Sequence, residues 1–210
     1  MNILFTLNDA FVPQVATCMC SIFENNKSAE NITVYLIGER INQENQDKLK
    51  RFAKSYDRKV CIISINNIAD YIDFDFDTNG WSSIILARLF LDKLLPQEVD
   101  RILYLDGDTL VLEDIGSLFY SDLGDKVIGM CPEPTVDKSR KEFLALKEYP
   151  YHNSGVLLID LKKWRREEIG KKVIEFYQFH EGKLFAPDQD ALNGALKEQI
   201  FTLPISFNYF

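Results

Sequence analysis

Apolar positions fall into short unbroken runs and helix-spaced sets, and the switches between the two mark out the elements of this chain. Residues 3–7 (Ile-Leu-Phe-Thr-Leu) predict a strand, and Asn8-Asp9 follow as a loop whose side-chain oxygens are placed to cap the next helix. With Pro13 near its first turn, that helix extends to about Asn25 and turns Val15, Cys18, Met19, Ile22 and Phe23 inward. Residues 32–37 predict a second strand, 43–54 a charged amphipathic helix and 60–65 a third strand. This β-α-β-α-β rhythm implies a parallel, right-handed, doubly wound half.

Beyond it, residues 68–79 carry four Asp among aromatic residues and read as a surface loop, one that tops a site or, the preferred reading, simply stays solvated. Residues 82–95 predict a helix with Ser82 or Ser83 as its cap, Ile85, Leu89 and Leu95 inward, and Pro96 as its stop. Arg88 lies within it, either as a surface residue or as one that bridges carboxylates and phosphate beside a metal site. Four apolar residues, 102–105, then suit a strand covered on both faces. It stops abruptly at Asp106-Gly107-Asp108. A short strand at 110–112 is expected to form a β-ribbon, 117–120 a helical turn, 126–131 a strand, and 138–147 a helix in an excursion over the sheet. Tyr151-His-Asn-Ser-Gly155 leads into an apolar strand at 156–160, followed by one long helix at 161–180 with Trp164 inward. Asp188 is placed to cap a last helix over 191–197, and residues 200–210 give a strand followed by aromatic residues.

Composition narrows the chemistry. The 210 residues, 46% hydrophobic, suit one domain spanning 1–210. A net charge of −8 and a pI near 4.9 argue against nucleic acid, so an anionic ligand would need a metal. Cys18, Cys20, Cys61 and Cys131 form no zinc-type spacing and read as reduced. Neither a signal peptide nor a stretch of transmembrane length is legible, so the expected compartment is the cytoplasm. No Gly-x-Gly-x-x-Gly or Walker sequence is present, which disfavours a dinucleotide or P-loop triphosphate.

Asp106 and Asp108 are the chemical focus. Side chains two apart in extended chain point the same way, so both can reach one hard cation, and Gly107 leaves room for a ligand or backbone. A plain polar turn is the bland alternative, which the buried run in front disfavours. Two enzyme designs use such a strand end. In one the carboxylates hold a metal that binds a nucleotide sugar's pyrophosphate; in the other, of haloacid-dehalogenase type, Asp106 is a nucleophile and Asp108 a general acid/base.

Five stretches in order then resemble the family 8 glycosyltransferases, a group that includes bacterial lipopolysaccharide galactosyl- and glucosyltransferases and is related to glycogenin. They are the N-terminal strand with Asn8-Asp9, Ala87-Arg88-Leu89, Leu103-Tyr-Leu-Asp-Gly-Asp108, Asn153-Ser-Gly-Val-Leu-Leu-Ile-Asp-Leu-Lys-Lys-Trp164, and Asp188-Gln-Asp-Ala-Leu-Asn193. The resemblance covers essentially the whole chain. It leaves the dehalogenase-type phosphatase as the least favoured alternative, since the nucleophile there lies early in its domain and works with a later Lys and a further acidic pair.

The resemblance implies an α/β GT-A fold: a single domain with a Rossmann-like, mixed but mostly parallel sheet flanked by helices. It implies retaining transfer of a hexose from UDP-glucose or UDP-galactose to a saccharide or lipid-linked saccharide acceptor, as in lipopolysaccharide biosynthesis. Asp106 and Asp108 would hold Mn²⁺ or Mg²⁺. Thr6, Asn8 and Asp9 would serve the nucleoside, and Arg88, Gly107, Ser154 and Gly155 the rest of the donor. Asn153 and Asp188 would hold sugar hydroxyls, with Gln189 facing the anomeric carbon in a catalytic set of Asp188, Gln189 and Asp190. The matching mechanism is acceptor attack on the face of departure, through an oxocarbenium-like state, with a UDP oxygen taking the proton.

This sequence departs from the family at Asn8, where an acidic residue is usual. It also lacks the His-x-x-Gly-x-x-Lys-Pro-Trp segment that carries a third metal ligand in the family. The expectation is therefore a chain cut short at Phe210, with any peripheral membrane contact supplied by the missing region. The second reading is a truncated, catalytically weak nucleotide-sugar-binding module.

Overall fold

The apolar runs become the middle of one seven-stranded sheet. In the computed structural model, which describes residues 1–209, the strands are β1 (Asn2–Asn8), β2 (Thr33–Glu39), β3 (Lys59–Ile65), β4 (Arg101–Leu105), β5 (Ile128–Pro132), β6 (His152–Asp160) and β7 (Ile200–Thr202). Their order is β3-β2-β1-β4-β6-β5-β7. The pairs β1–β2, β2–β3, β1–β4 and β5–β7 are parallel, whereas β6 runs antiparallel between β4 and β5. The sheet is thus mixed and mostly parallel, as expected.

β1 and β4 lie in the centre, and alternate residues serve opposite faces. Ile3, Phe5, Leu103 and Leu105 pack under α1 (Val12–Asn25) and α2 (Gln43–Ser55). Leu4, Ile102 and Tyr104 pack toward Trp164 and Tyr177 on the other face. Burial on both sides is why these strands read as continuous apolar runs. The α1 residues expected inward are all buried, and Pro13 occupies its first turn.

Several expectations are corrected. Asn8 does not cap through its side chain; a 3-10 helix at Asp9–Phe11 precedes α1, and both Asp9 oxygens reach across to Asn42 and Asn45. Residues 110–112 form no strand, because the Val111 N–H donates to Ser21 Oγ and its carbonyl accepts from Asn25 Nδ2, both on α1. Leu110 and Leu112 point to solvent. The 82–95 segment winds as a 3-10 helix at Ser83–Leu89 and then as α3 (Leu91–Leu94), with no side-chain cap from Ser82. After α4 (Gly116–Phe119), α5 (Lys138–Phe143) ends earlier than its pattern suggested. The expected long helix at 161–180 is two, α6 (Leu161–Arg166) and α7 (Ile169–Phe179). Glu168, with φ of 51°, makes the turn between them. That turn lays Gly170 against the Leu89 carbonyl, where an added Cβ would approach to 2.9 Å. Helix α8 (Pro187–Leu196) starts before Asp188, so this residue sits in the first turn and is not its cap. Phe210 lies outside the described residues.

The four Asp of residues 68–79 are solvated, as read, although Ile68 is buried. One irregularity shapes the site: pairing of β6 with β5 jumps from Leu157 to Asn153, which leaves residues 154–156 without a partner in β5. The Gly155 carbonyl turns instead to the Asp106 N–H at 2.8 Å.

Candidate active site

Because β6 is antiparallel to β4, its beginning lies beside the end of β4. Asn153-Ser154-Gly155 therefore meets Asp106-Gly107-Asp108 at the C-terminal edge of β4, where open α/β sheets place ligands. The N-terminus of α8 adds Asp188 and Gln189 through Ser154. Ser154 Oγ donates to Asp188 Oδ2 at 3.0 Å, and Ser154 N donates to Gln189 Oε1 at 2.9 Å.

Arg88 ties these pieces together from inside the sheet. Its Nη1 donates to the Ser154 carbonyl at 2.9 Å and lies 3.0 Å from Asp188 Oδ2. Its Nη2 donates to Asp106 Oδ1 at 3.1 Å and to the Tyr104 hydroxyl, while Nε bonds the Ile85 carbonyl at 3.1 Å. Each nitrogen of the guanidinium is thus engaged within the protein, Nη1 also donating to Ser154 Oγ at 3.4 Å. Arg88 is buried and braces the two carboxylates. Burial works against its charge, but Asp188, Tyr104 and Asp106 outweigh that and hold the guanidinium above its ordinary pKa. For Asp188 burial wins, pushing the carboxyl above the usual range against the pull of Arg88.

Tyr104, two residues before Asp106 and on the same face, donates to Asp106 Oδ1 at 2.6 Å and lies 3.4 Å from Thr6 Oγ1. Thr6 thus joins the centre through Tyr104. The other Asp106 oxygen accepts no hydrogen bond among the described residues and lies over Gly155, where an added Cβ would come within 3.0 Å of it. Asp108 is exposed. Gly107 packs tightly on α1 and the turn before it: a Cβ there would sit 2.6 Å from Val15 Cγ2 and 3.1 Å from the Phe11 ring.

The remaining expected residues divide. Asn153 gives its Nδ2 to Glu133 Oε2 at 3.1 Å and accepts on Oδ1 from Gly155 N and Asn208 Nδ2. Asn8 Oδ1 is buried and has no partner among the described residues. Asp9 is committed to the loop before α2. Asp190 turns away from Arg88 and is held by Tyr151, Arg140 and the Ala186 N–H. Tyr104, Glu133 and Tyr151 escaped the sequence reading. The period of two linking Tyr104 to Asp106, and the acidic residue closing an apolar strand at Glu133, were the signals available.

Among the described residues, no group of three or more His, Cys, Asp and Glu converges as a metal site. His152 is buried beside Asn193, and burial pushes its ring down to about 4, so it is neutral at pH 7. A groove of about 650 Å³ between the Asp70–Asp73 turn and α7 is lined by none of these residues. The carboxylates converge elsewhere, on Arg88.

The fold and this edge together define a GT-A-like glycosyltransferase. Glycosyl transferase family 8 matches residues 2–210, and the chain belongs to that family. Family membership removes the dehalogenase-type alternative. A putative glycosyltransferase of Haemophilus influenzae is 29% identical over all of this chain and 63% of its own length. The lipopolysaccharide 1,2-glucosyltransferase of Escherichia coli K12 is 29% identical over 99% of this chain and 62% of its own. The chain thus spans under two thirds of these curated relatives. Among solved structures, the galactosyltransferase LgtC in complex with donor and acceptor sugar analogs is similar at a TM-score of 0.88 and 27% identity, over 98% of this chain and 74% of that one.

Proposed function

We propose that this chain is the donor-binding and catalytic part of a retaining, metal-dependent hexosyltransferase. It would act in the cytoplasm, moving glucose or galactose from its UDP-sugar to a saccharide or lipid-linked saccharide acceptor. The observation that carries this reading is Arg88, which joins the Asp106 and Asp188 motifs on one buried guanidinium at the ligand edge of the sheet. The LgtC complex with donor and acceptor sugar analogs and the glucosyltransferase relative support the substrate class. A further LgtC structure, described as an active-site glutamine-to-glutamate mutant, supports a glutamine in the reaction centre.

The donor set fits a hard divalent cation: Asp106 Oδ2 and Asp108 offer oxygen ligands, and the diphosphate and water would complete the shell. Mn²⁺ or Mg²⁺ bound there would neutralise the diphosphate as it leaves. The chain's own residues do the rest. Asn8 Oδ1, buried and unpaired, would accept the uracil N–H, with Thr6 beneath it on β1. Asp188 and Asn153 would receive sugar hydroxyls on either side of Ser154-Gly155. Gln189, its carboxamide oxygen held by Ser154, would line the anomeric face as a dipole. A carboxamide is a poor nucleophile, so the reading retains same-face attack by the acceptor.

Calorimetric titration of UDP into the chain with Mn²⁺ and then with EDTA tests the donor site, and release of glucose or galactose from the two UDP-sugars tests the chemistry. Metal-dependent UDP binding with slow hydrolysis is expected. Absence of UDP binding in both conditions would overturn the reading.

A further inference from the structure

We infer that Arg140, through Asp190 and Tyr151, positions the Gln189 carboxamide. The functional meaning of this orientation rests on the proposed place of Gln189 at the donor's anomeric face; the orientation itself does not.

A glutamine side chain ends in two groups of nearly equal size, so its direction is set by which neighbour must donate and which must accept. On one side Ser154 N can only donate, and it holds Oε1 at 2.9 Å. On the other side, Gln189 Nε2 lies 3.0 Å from the Tyr151 hydroxyl, a group that could either donate or accept. Asp190 removes that choice. Its Oδ1 accepts the Tyr151 proton at 2.6 Å, so only a lone pair of the hydroxyl remains for Gln189. Burial, with the nearby Asp190 charge, raises the Tyr151 pKa and keeps its hydroxyl protonated.

Asp190 is itself buried. Arg140 supplies the counter-charge, with Nε donating to Asp190 Oδ1 at 2.8 Å. Its guanidinium also lies 5.0 Å from the Tyr151 ring centroid and 4.6 Å from that of Phe185, so two aromatic faces hold it over the carboxylate. No residue of α5 is buried, yet its Arg140 reaches into this cluster. The excursion over the sheet therefore helps set the direction of a side chain in the reaction centre. Arg140, Asp190 and Tyr151 are positioning residues; none is a catalytic residue.

The test follows the Gln189 side-chain NH₂ by NMR in the full 210-residue chain, its signals identified by their loss in Gln189→Glu. Side-chain amide exchange is expected to quicken by about tenfold in both Tyr151→Phe and Arg140→Met, the change of one lost hydrogen bond. The double variant should exceed neither single one, because both act through one chain of bonds. Arg140→Lys, which keeps the charge, should regain part of the protection. In donor hydrolysis, kcat should fall by about tenfold while KM and UDP affinity stay within about twofold, a split that general destabilisation would not produce. Unchanged Gln189 exchange in Tyr151→Phe, or losses that multiply in the double variant, would overturn the inference. If Arg140→Met does not fold, Arg140→Lys and Tyr151→Phe decide. If the wild type neither binds UDP nor hydrolyses donor, the enzymatic reading fails, while the exchange measurement still decides whether Arg140 orients Gln189.

Discussion

Asp188 and Asp190 lie two residues apart in the first turn of α8 and both are buried, yet they answer to different arginines. Two residues of helix rotate a side chain by about 200°. Asp188 thereby meets Arg88 and Asp106 at the sheet, and Asp190 meets Arg140 and Tyr151 under the excursion. Gln189 stands between and touches both sides, through Ser154 and Tyr151. The difference lies in what each side leaves open. The Asp188 side keeps Asp106 Oδ2 and an exposed Asp108, whereas on the Asp190 side both carboxylate oxygens have protein donors. One buried acid borders a cluster with a carboxylate oxygen to spare; the other has both oxygens met by protein donors.

The largest effect should follow from removing those open oxygens. Asp106→Asn and Asp108→Asn should each abolish metal-dependent UDP binding, read by calorimetry with Mn²⁺; full binding in both would erase the distinction between the two sides.

Next comes the loss of either arginine. Arg88→Met leaves Asp188 buried without its cation and should cost about 3–5 kcal/mol in urea unfolding. Arg140→Met should cost less, about 1–3 kcal/mol, since Tyr151 and the Ala186 N–H still serve Asp190. Equal costs would mean that the two acids are held alike.

A buried group with no counter-charge sharpens the contrast further. His152 has its pKa pushed down to about 4 by burial, from an ordinary 6.5. Above pH 6.5 the ring is neutral whether the chain is folded or not. As pH falls toward 4 only the unfolded chain takes up the proton, so stability is lost, by at most about 3 kcal/mol. The His152→Gln variant should show a shallower loss between pH 7 and 4.5; an identical slope would contradict the burial argument.

The smallest effect belongs to Tyr104. Removing its hydroxyl in Tyr104→Phe leaves Asp106 Oδ1 to Arg88 alone and should cost about 1–2 kcal/mol, measured by urea unfolding.

What could be read from the sequence follows from how local each cause is. β1, β4, α1 and α2 were legible because their apolar spacing is a direct image of burial on the sheet's two faces. The Asp106, Asn153 and Asp188 stretches were legible because each carries its chemistry within a few adjacent residues. The turn at Glu168 was not, since it answers to the packing of Gly170 on Leu89. Nor was the fate of residues 110–112, which is decided by Ser21 and Asn25 on another element. Arg88 could be read only as a surface residue or a bridge between carboxylates and phosphate; the structure shows it buried between Asp106 and Asp188. Arg140 gives no local sign, because the carboxylate it pairs with lies fifty residues further on.

The strand order also governs when this centre can exist. β4 lies beside β1 but follows β2 and β3 in the chain, and β6 must pair antiparallel with it before Ser154 and α8 can reach Arg88. During synthesis Arg88 leaves the ribosome well ahead of the residues that will enclose it. Until they follow, the growing sheet has a hydrated cation at its unfinished margin. Closure of the two acids around it is therefore a late, long-range event in folding, and the centre is complete only when most of the chain is in place.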